Sequence, residues 1–196
     1  MSGRKRSPSK SATHRARKAS APIGPDEWHL MVKAIGPHVV KISTPRGHGT
    51  GFLVAHAPKA GLVGLATANH VVDHEDWWGE PLRVHHPASG ESVFLGTSDR
   101  VIYRNSKNDT AVLIMGASQL KLPQKPMDLI PETFHVMTGV EVGWIGFPGI
   151  APEDMCFFSG RIIDPRLSNA THWHVKGGGP SAGCNSTAWR ASGATC

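Results

Sequence analysis

The sequence is poor in tyrosine, in cysteine and in long apolar runs. There is one tyrosine in 196 residues, and there are three cysteines, Cys156, Cys184 and Cys196. An odd cysteine count with no CxxC pair gives neither a disulfide framework nor a zinc knuckle, and it fits a reducing compartment. No apolar run reaches about 18 residues, so no membrane span is expected. Residues 1 to 20 hold no acid and lack the apolar core of a signal peptide, so the cytoplasm is the expected location. No internal repeat and no long helical period runs through the chain.

What is present points to a folded, turn-rich protein. Apolar residues make up 39% of the chain, with 22 glycines and 15 prolines. That length and balance suit one domain with a real core. The net charge of +6 belongs to one end. Residues 1 to 20 carry seven bases, which leaves 14 of the 21 bases against all 15 acids for residues 21 to 196. The body is therefore close to neutral. Residues 1 to 25 read as a disordered basic arm whose partner would be nucleic acid or another polyanion, or as a solvated tail. No aromatic residue interleaves the charges, so base stacking has no support.

Asp26 to Lys33 reads as one short helical turn. Strands follow at near-regular spacing: Val39 to Thr44, Thr50 to Val54, Leu62 to Ala68, Leu82 to His86, Glu91 to Leu95, Arg100 to Tyr103 and Thr110 to Met115. Residues 116 to 135 read as linker. A further strand and turn are expected over Glu141 to Gly149, and further strands at Phe157 to Ile163 and Thr171 to Val175. Asp73 to Gly79 reads as a polar connection in which Trp77 and Trp78 face opposite sides. His85 and His86 are expected at the surface. Short strands with turns between them give an all-β fold of antiparallel strands.

Three places can carry chemistry. His70 follows the apolar run Leu65-Ala66-Thr67-Ala68-Asn69, at a strand end. Asp109 immediately precedes a buried strand. Ser181 lies in the glycine-rich loop Gly179-Pro180-Ser181-Ala182-Gly183. A serine hydroxyl is a weak nucleophile until a base takes its proton, and an imidazole does this best when a carboxylate fixes its tautomer. Taken singly, His70 also reads as a polar residue at a core rim, Asp109 as a turn residue and Ser181 as one loop serine among many.

In order along the chain, Gly49-Thr50-Gly51-Phe52-Leu53-Val54, Thr67-Ala68-Asn69-His70-Val71-Val72-Asp73, Asp109-Thr110-Ala111-Val112-Leu113 and Ile145-Gly146-Phe147-Pro148-Gly149 resemble the successive signatures of trypsin-like serine peptidases, of the HtrA-like and related bacterial or viral type. The resemblance spans residues 38 to 183. It implies a chymotrypsin-like double antiparallel β-barrel, with a first barrel over 38–116, a linker over 116–135 and a second barrel over 136–196. It implies His70 as general base, Asp109 as its orienting carboxylate and Ser181 as nucleophile. The oxyanion hole would come from the backbone N–H groups of Gly179 and Ser181. The substrate is then a polypeptide, and no cofactor and no metal are expected. His172 and His174 stand at i, i+2 with no third ligand indicated.

The chain departs from the family pattern in two places. Ala182 stands where the family has glycine, and Cys184 where proline is common. Cys184 and Ser186 are the rival nucleophiles. The family also has about forty residues or more after the nucleophile, against Ala182 to Cys196 here, so a chain ending inside an incomplete second barrel is expected. Two functions compete on these grounds. One is a serine endopeptidase. The other is an inactive protease-fold binding module tethered to acidic partners by its basic arm. A pure nucleic-acid-binding domain fits poorly with the near-neutral body.

Overall fold

Alternation of apolar and polar residues gives each segment one face to bury, and the segments bury it by pairing into two sheets. A computed structural model of the chain describes residues 22–130, 137–164, 172–177 and 189–190. The elements are α1 (Pro25–Ile35), β1 (Val39–Thr44), β2 (Gly47–Ala57), β3 (Leu62–Thr67), α2 (Asn69–Trp78), β4 (Leu82–His86), β5 (Glu91–Leu95), β6 (Arg100–Asn105), β7 (Thr110–Gly116), β8 (Glu141–Gly146), β9 (Cys156–Asp164), β10 (His172–Gly177) and β11 (Trp189–Arg190). One sheet has seven strands in the order β5-β4-β1-β2-β3-β7-β6; the other has four, β11-β10-β9-β8. Every strand pair is antiparallel.

The first sheet curls on itself. Ile42, Leu53, Leu65, Leu82, Leu95 and Leu113 are fully buried in one cluster, although Leu95 and Leu113 lie near opposite ends of the strand order. Its two edges meet where the Arg100 guanidinium donates to the Leu95 carbonyl at 2.7 Å. The second sheet docks through a smaller cluster of Val39, Ile145 and Phe147, with Val32 and Phe52 against it. The Phe147 N–H donates to Thr50 Oγ1 at 2.9 Å and ties β8 to β2.

Three local expectations need correction. The helical turn expected at Asp26 to Lys33 is the longer α1, because Pro25 starts it and Glu27 accepts the Gly24 N–H at 2.9 Å. Trp28 and Phe157, with ring centroids 5.3 Å apart, then hold it on the second sheet. The segment from Asn69 to Trp78 is helix rather than polar connection. Val71, Val72 and Glu75 form its buried face, and Trp77 and Trp78 are both turned to solvent. His86 is buried, not on the surface, because both ring nitrogens find partners, Ser89 Oγ at 2.8 Å and the Pro37 carbonyl at 2.9 Å. The described residues of the expected linker hold no strand, and residues 117–127 lie back on the first sheet. Leu120 is buried there, Met127 donates to the Leu53 carbonyl at 3.2 Å and His56 Nδ1 lies 2.7 Å from the Gln124 carbonyl.

Candidate active site

α2 delivers the histidine. β3 ends at Thr67, whose hydroxyl donates to the Thr50 carbonyl at 2.8 Å, and the chain enters α2 through Ala68 in an extended conformation. His70 therefore sits in the first turn of α2, beside the end of the first sheet. Val71, the next residue, packs directly on Gly49 of β2. A β-carbon at position 49 would overlap the Val71 side chain, so only glycine lets the helix lie this close.

Asp109 reaches the same point from the turn between β6 and β7. It is the only non-glycine residue with positive φ among the described residues, at 50°. That left-handed conformation costs an ordinary residue roughly 1–2 kcal/mol. Strain of this kind persists where surrounding contacts over-determine it. Here the carboxylate makes those contacts. Asp109 Oδ2 lies 2.8 Å from His70 Nδ1, and Oδ1 lies 3.0 Å from the same nitrogen. Oδ1 also accepts the backbone N–H of His70 at 3.0 Å. The carboxylate thus fixes both the ring and the backbone that carries it. With Nδ1 engaged, Nε2 is the nitrogen left to handle a substrate proton. The imidazole is 39% exposed and its carboxylate 18%, so the ring is reachable while its anchor is mostly covered.

The structure brings together His70 and Asp109, which are 39 residues apart in sequence. Gly179 and Ser181, with Cys184 and Ser186, lie outside the described residues. No protein-family model matches the chain, and no curated protein does. Solved structures do. The inactive form of the Rv3671c protease superposes with a TM-score of 0.54 at 21% identity, covering 82% of this chain and 76% of that one. An inactive serine-to-alanine mutant of Rv3671c from M. tuberculosis H37Rv gives 0.51 at 22% identity, covering 75% of this chain. This chain spans 60% of that protein's length.

The fold is that of the trypsin-like serine peptidases.

Sequence reading did not single out Arg100, which anchors the far end of α2. Its buried guanidinium donates to the carbonyls of Glu75 at 3.0 Å and Glu80 at 2.6 Å, closing the C-terminal end of the helix that carries His70. Burial pulls its pKa below the ordinary value, and the carboxylates of Asp76, Glu75 and Asp99 offset only part of that shift. No short motif marks such a residue, because its partners lie on three separate segments. A cavity of about 660 Å³ opens between α1 and the second sheet, lined by Trp28, His29, Val32, Glu141, Phe157 and Arg161 among others; neither His70 nor Asp109 borders it. No described helix is long and apolar enough to cross a membrane.

Proposed function

We propose that the chain is a serine endopeptidase. The observation that carries this reading is the double hold of one carboxylate on the ring and the backbone N–H of His70 in a trypsin-like fold. Ser181 Oγ attacks the scissile carbonyl carbon as its proton passes to His70 Nε2. The carbonyl oxygen becomes an oxyanion held by the N–H groups of Gly179 and Ser181. Collapse breaks the C–N bond, and the leaving amine takes the proton from His70. Water then hydrolyses the acyl-enzyme with His70 again as base. Asp109 keeps the Nδ1 proton facing away from the nucleophile and steadies the imidazolium. The test is active-site labelling of the full chain with a fluorophosphonate, beside Ser181→Ala and His70→Ala. Labelling of the wild type alone is the expected result. A folded wild type that does not label overturns the reading.

A second reading has its own observation. Ala182 in place of the family's glycine weakens the case for a working nucleophile loop, and the seven bases of residues 1 to 20 offer a tether. On this reading the chain is an inactive binding module held to nucleic acid or another polyanion. Its affinity for a DNA duplex should fall steeply with salt, and removal of residues 1 to 20 should flatten that slope. Binding to DNA that is unchanged by the deletion would remove this reading.

A further inference from the structure

The far end of α2 from His70 gathers three ligating atoms that nothing in the peptidase reading uses. His74 Nδ1, Glu75 Oε1 and Glu80 Oε2 all lie within 4.8 Å of one another. Each of the three atoms is buried and makes no hydrogen bond among the described residues. Glu75 is the decisive member. Its side chain is 2% exposed, and its Oε1 is aimed at His74 Nδ1 at 4.0 Å without a donor. An ionised carboxylate oxygen buried without a donor is costly, and buried charges are ordinarily paired or bound to metal. His74 Nδ1 stands 3.3 Å from Glu80 Oε2, near enough for attraction yet misdirected for a hydrogen bond.

We propose that these three residues form a site for a divalent cation of the zinc class. The donor set, one imidazole nitrogen and two carboxylate oxygens, is one that zinc accepts, with water completing the tetrahedron. Ligands about 2.1 Å from a tetrahedral ion stand about 3.4 Å apart. The His74–Glu80 separation of 3.3 Å already matches, and the His74–Glu75 separation of 4.0 Å needs a small rotation of one side chain. Two carboxylates and a neutral imidazole balance the charge of the ion. The remaining exposure of His74 and Glu80, 21% and 37% of their side chains, leaves a path for the ion and for its water.

The backbone holds these ligands in place. Gly79 has φ of 65°, which turns the chain back so that Glu80 faces the last turn of α2. One nitrogen of Arg100 then bridges the carbonyls of Glu75 and Glu80. Because Arg100 bonds the carbonyls and not the carboxylates, it fixes the ligands without occupying them. The site departs from the expectation of no metal, since a histidine and two glutamates at 74, 75 and 80 match no zinc spacing in a sequence. The alternative is an ordinary imidazolium pair with the two carboxylates, and the two differ in what zinc does.

The experiment is isothermal titration of the full, chelator-treated chain with zinc chloride, together with thermal melts with and without the ion. The expected result is one tight equivalent per chain that raises the melting temperature. Glu80→Gln and His74→Asn should each weaken it about tenfold or more, since loss of a direct ligand costs at least as much as loss of a supporting residue. His85→Asn should leave it unchanged. No saturable binding, or equal affinity in all variants, would overturn the proposal by placing any zinc on other histidines. Should the variants fail to fold, anomalous diffraction from wild-type crystals grown with zinc decides the matter. A peak among the three named atoms supports the site, and a peak elsewhere or none rejects it.

Discussion

Asp109 is held in a strained backbone by the bonds its own carboxylate makes, so substitutions there separate conformation from chemistry. Asparagine tolerates the left-handed region and keeps one oxygen for the His70 N–H, but its amide cannot fix the tautomer as a carboxylate does. Asp109→Asn should therefore cut fluorophosphonate labelling on the order of 10³–10⁴-fold while leaving a folded protein. Asp109→Ala should label as poorly and also melt roughly 2–8 °C below Asp109→Asn, because alanine meets the backbone penalty with nothing to offset it. Equal melting of the two would show that the backbone there carries no strain. The other close fit is Gly49 against Val71, where an added β-carbon overlaps the valine. Gly49→Ala should cost about 1–3 kcal/mol in denaturant unfolding, as overpacking does. In the double variant with Val71→Ala the costs should sum to less than the two single ones, a coupling that additive contributions would not give.

Elements differ in how they were written into the sequence. Leu82 to His86 and Glu91 to Leu95 could be read to the residue, since each alternates cleanly between turns and pairs with the other. α2 could not. Val71 and Val72 are β-branched and favour strands, Ala68 gives no capping signal, and the helix is fixed by the packing of Val71, Val72 and Glu75 on a core that the sequence does not locate. His86 was misread for a related reason: one of its partners, Pro37, lies 49 residues away. The signatures around His70 and Asp109 were legible as motifs, but not the left-handed turn that joins them. Electrostatics at the second sheet also belong to this scale. The Ile23 N–H at 2.7 Å, and then Arg161 at 2.6 Å, hold the Glu141 carboxyl below its ordinary value of 4.5. A depressed carboxyl contributes stability that is complete above the ordinary value and is lost as pH falls through the depressed one. The melting temperature should therefore drop less for Glu141→Gln than for the wild type between about pH 5 and pH 3. Parallel melting curves across that range would show that the contacts of Glu141 do not bear on stability.

Among the described residues the two sheets meet over a small apolar cluster, and this sets how the molecule should come apart. The first sheet closes around fifteen buried residues, including Leu65 and Leu113. Among the described residues, the second meets it through Val39, Ile145 and Phe147, through the hydrogen bond from Phe147 to Thr50, and through Lys41, which pairs with Glu153 at 2.9 Å and lies over the Phe147 ring. On the proposed peptidase reading, His70 in α2 and Asp109 beside β7 have to face Ser181, which in sequence lies between β10 and β11 of the second sheet, so the docking cluster would matter to function without touching substrate. Phe147→Ala removes the largest side chain of that cluster, a change that costs about 3–5 kcal/mol when a phenylalanine is well packed. The loss falls on the docking and not on the main core. Amide hydrogen exchange should then rise in residues 141–146 and 156–163 while 62–67 and 110–116 keep their protection, the behaviour of a unit that opens locally. Leu65→Ala should do the reverse, lowering protection in the first sheet and, because β8 docks on β1 and β2, in the second as well. If Phe147→Ala instead exposed both sheets equally, they would be one cooperative unit, and any loss of fluorophosphonate labelling in that variant would report global unfolding and not the separation of the two sheets.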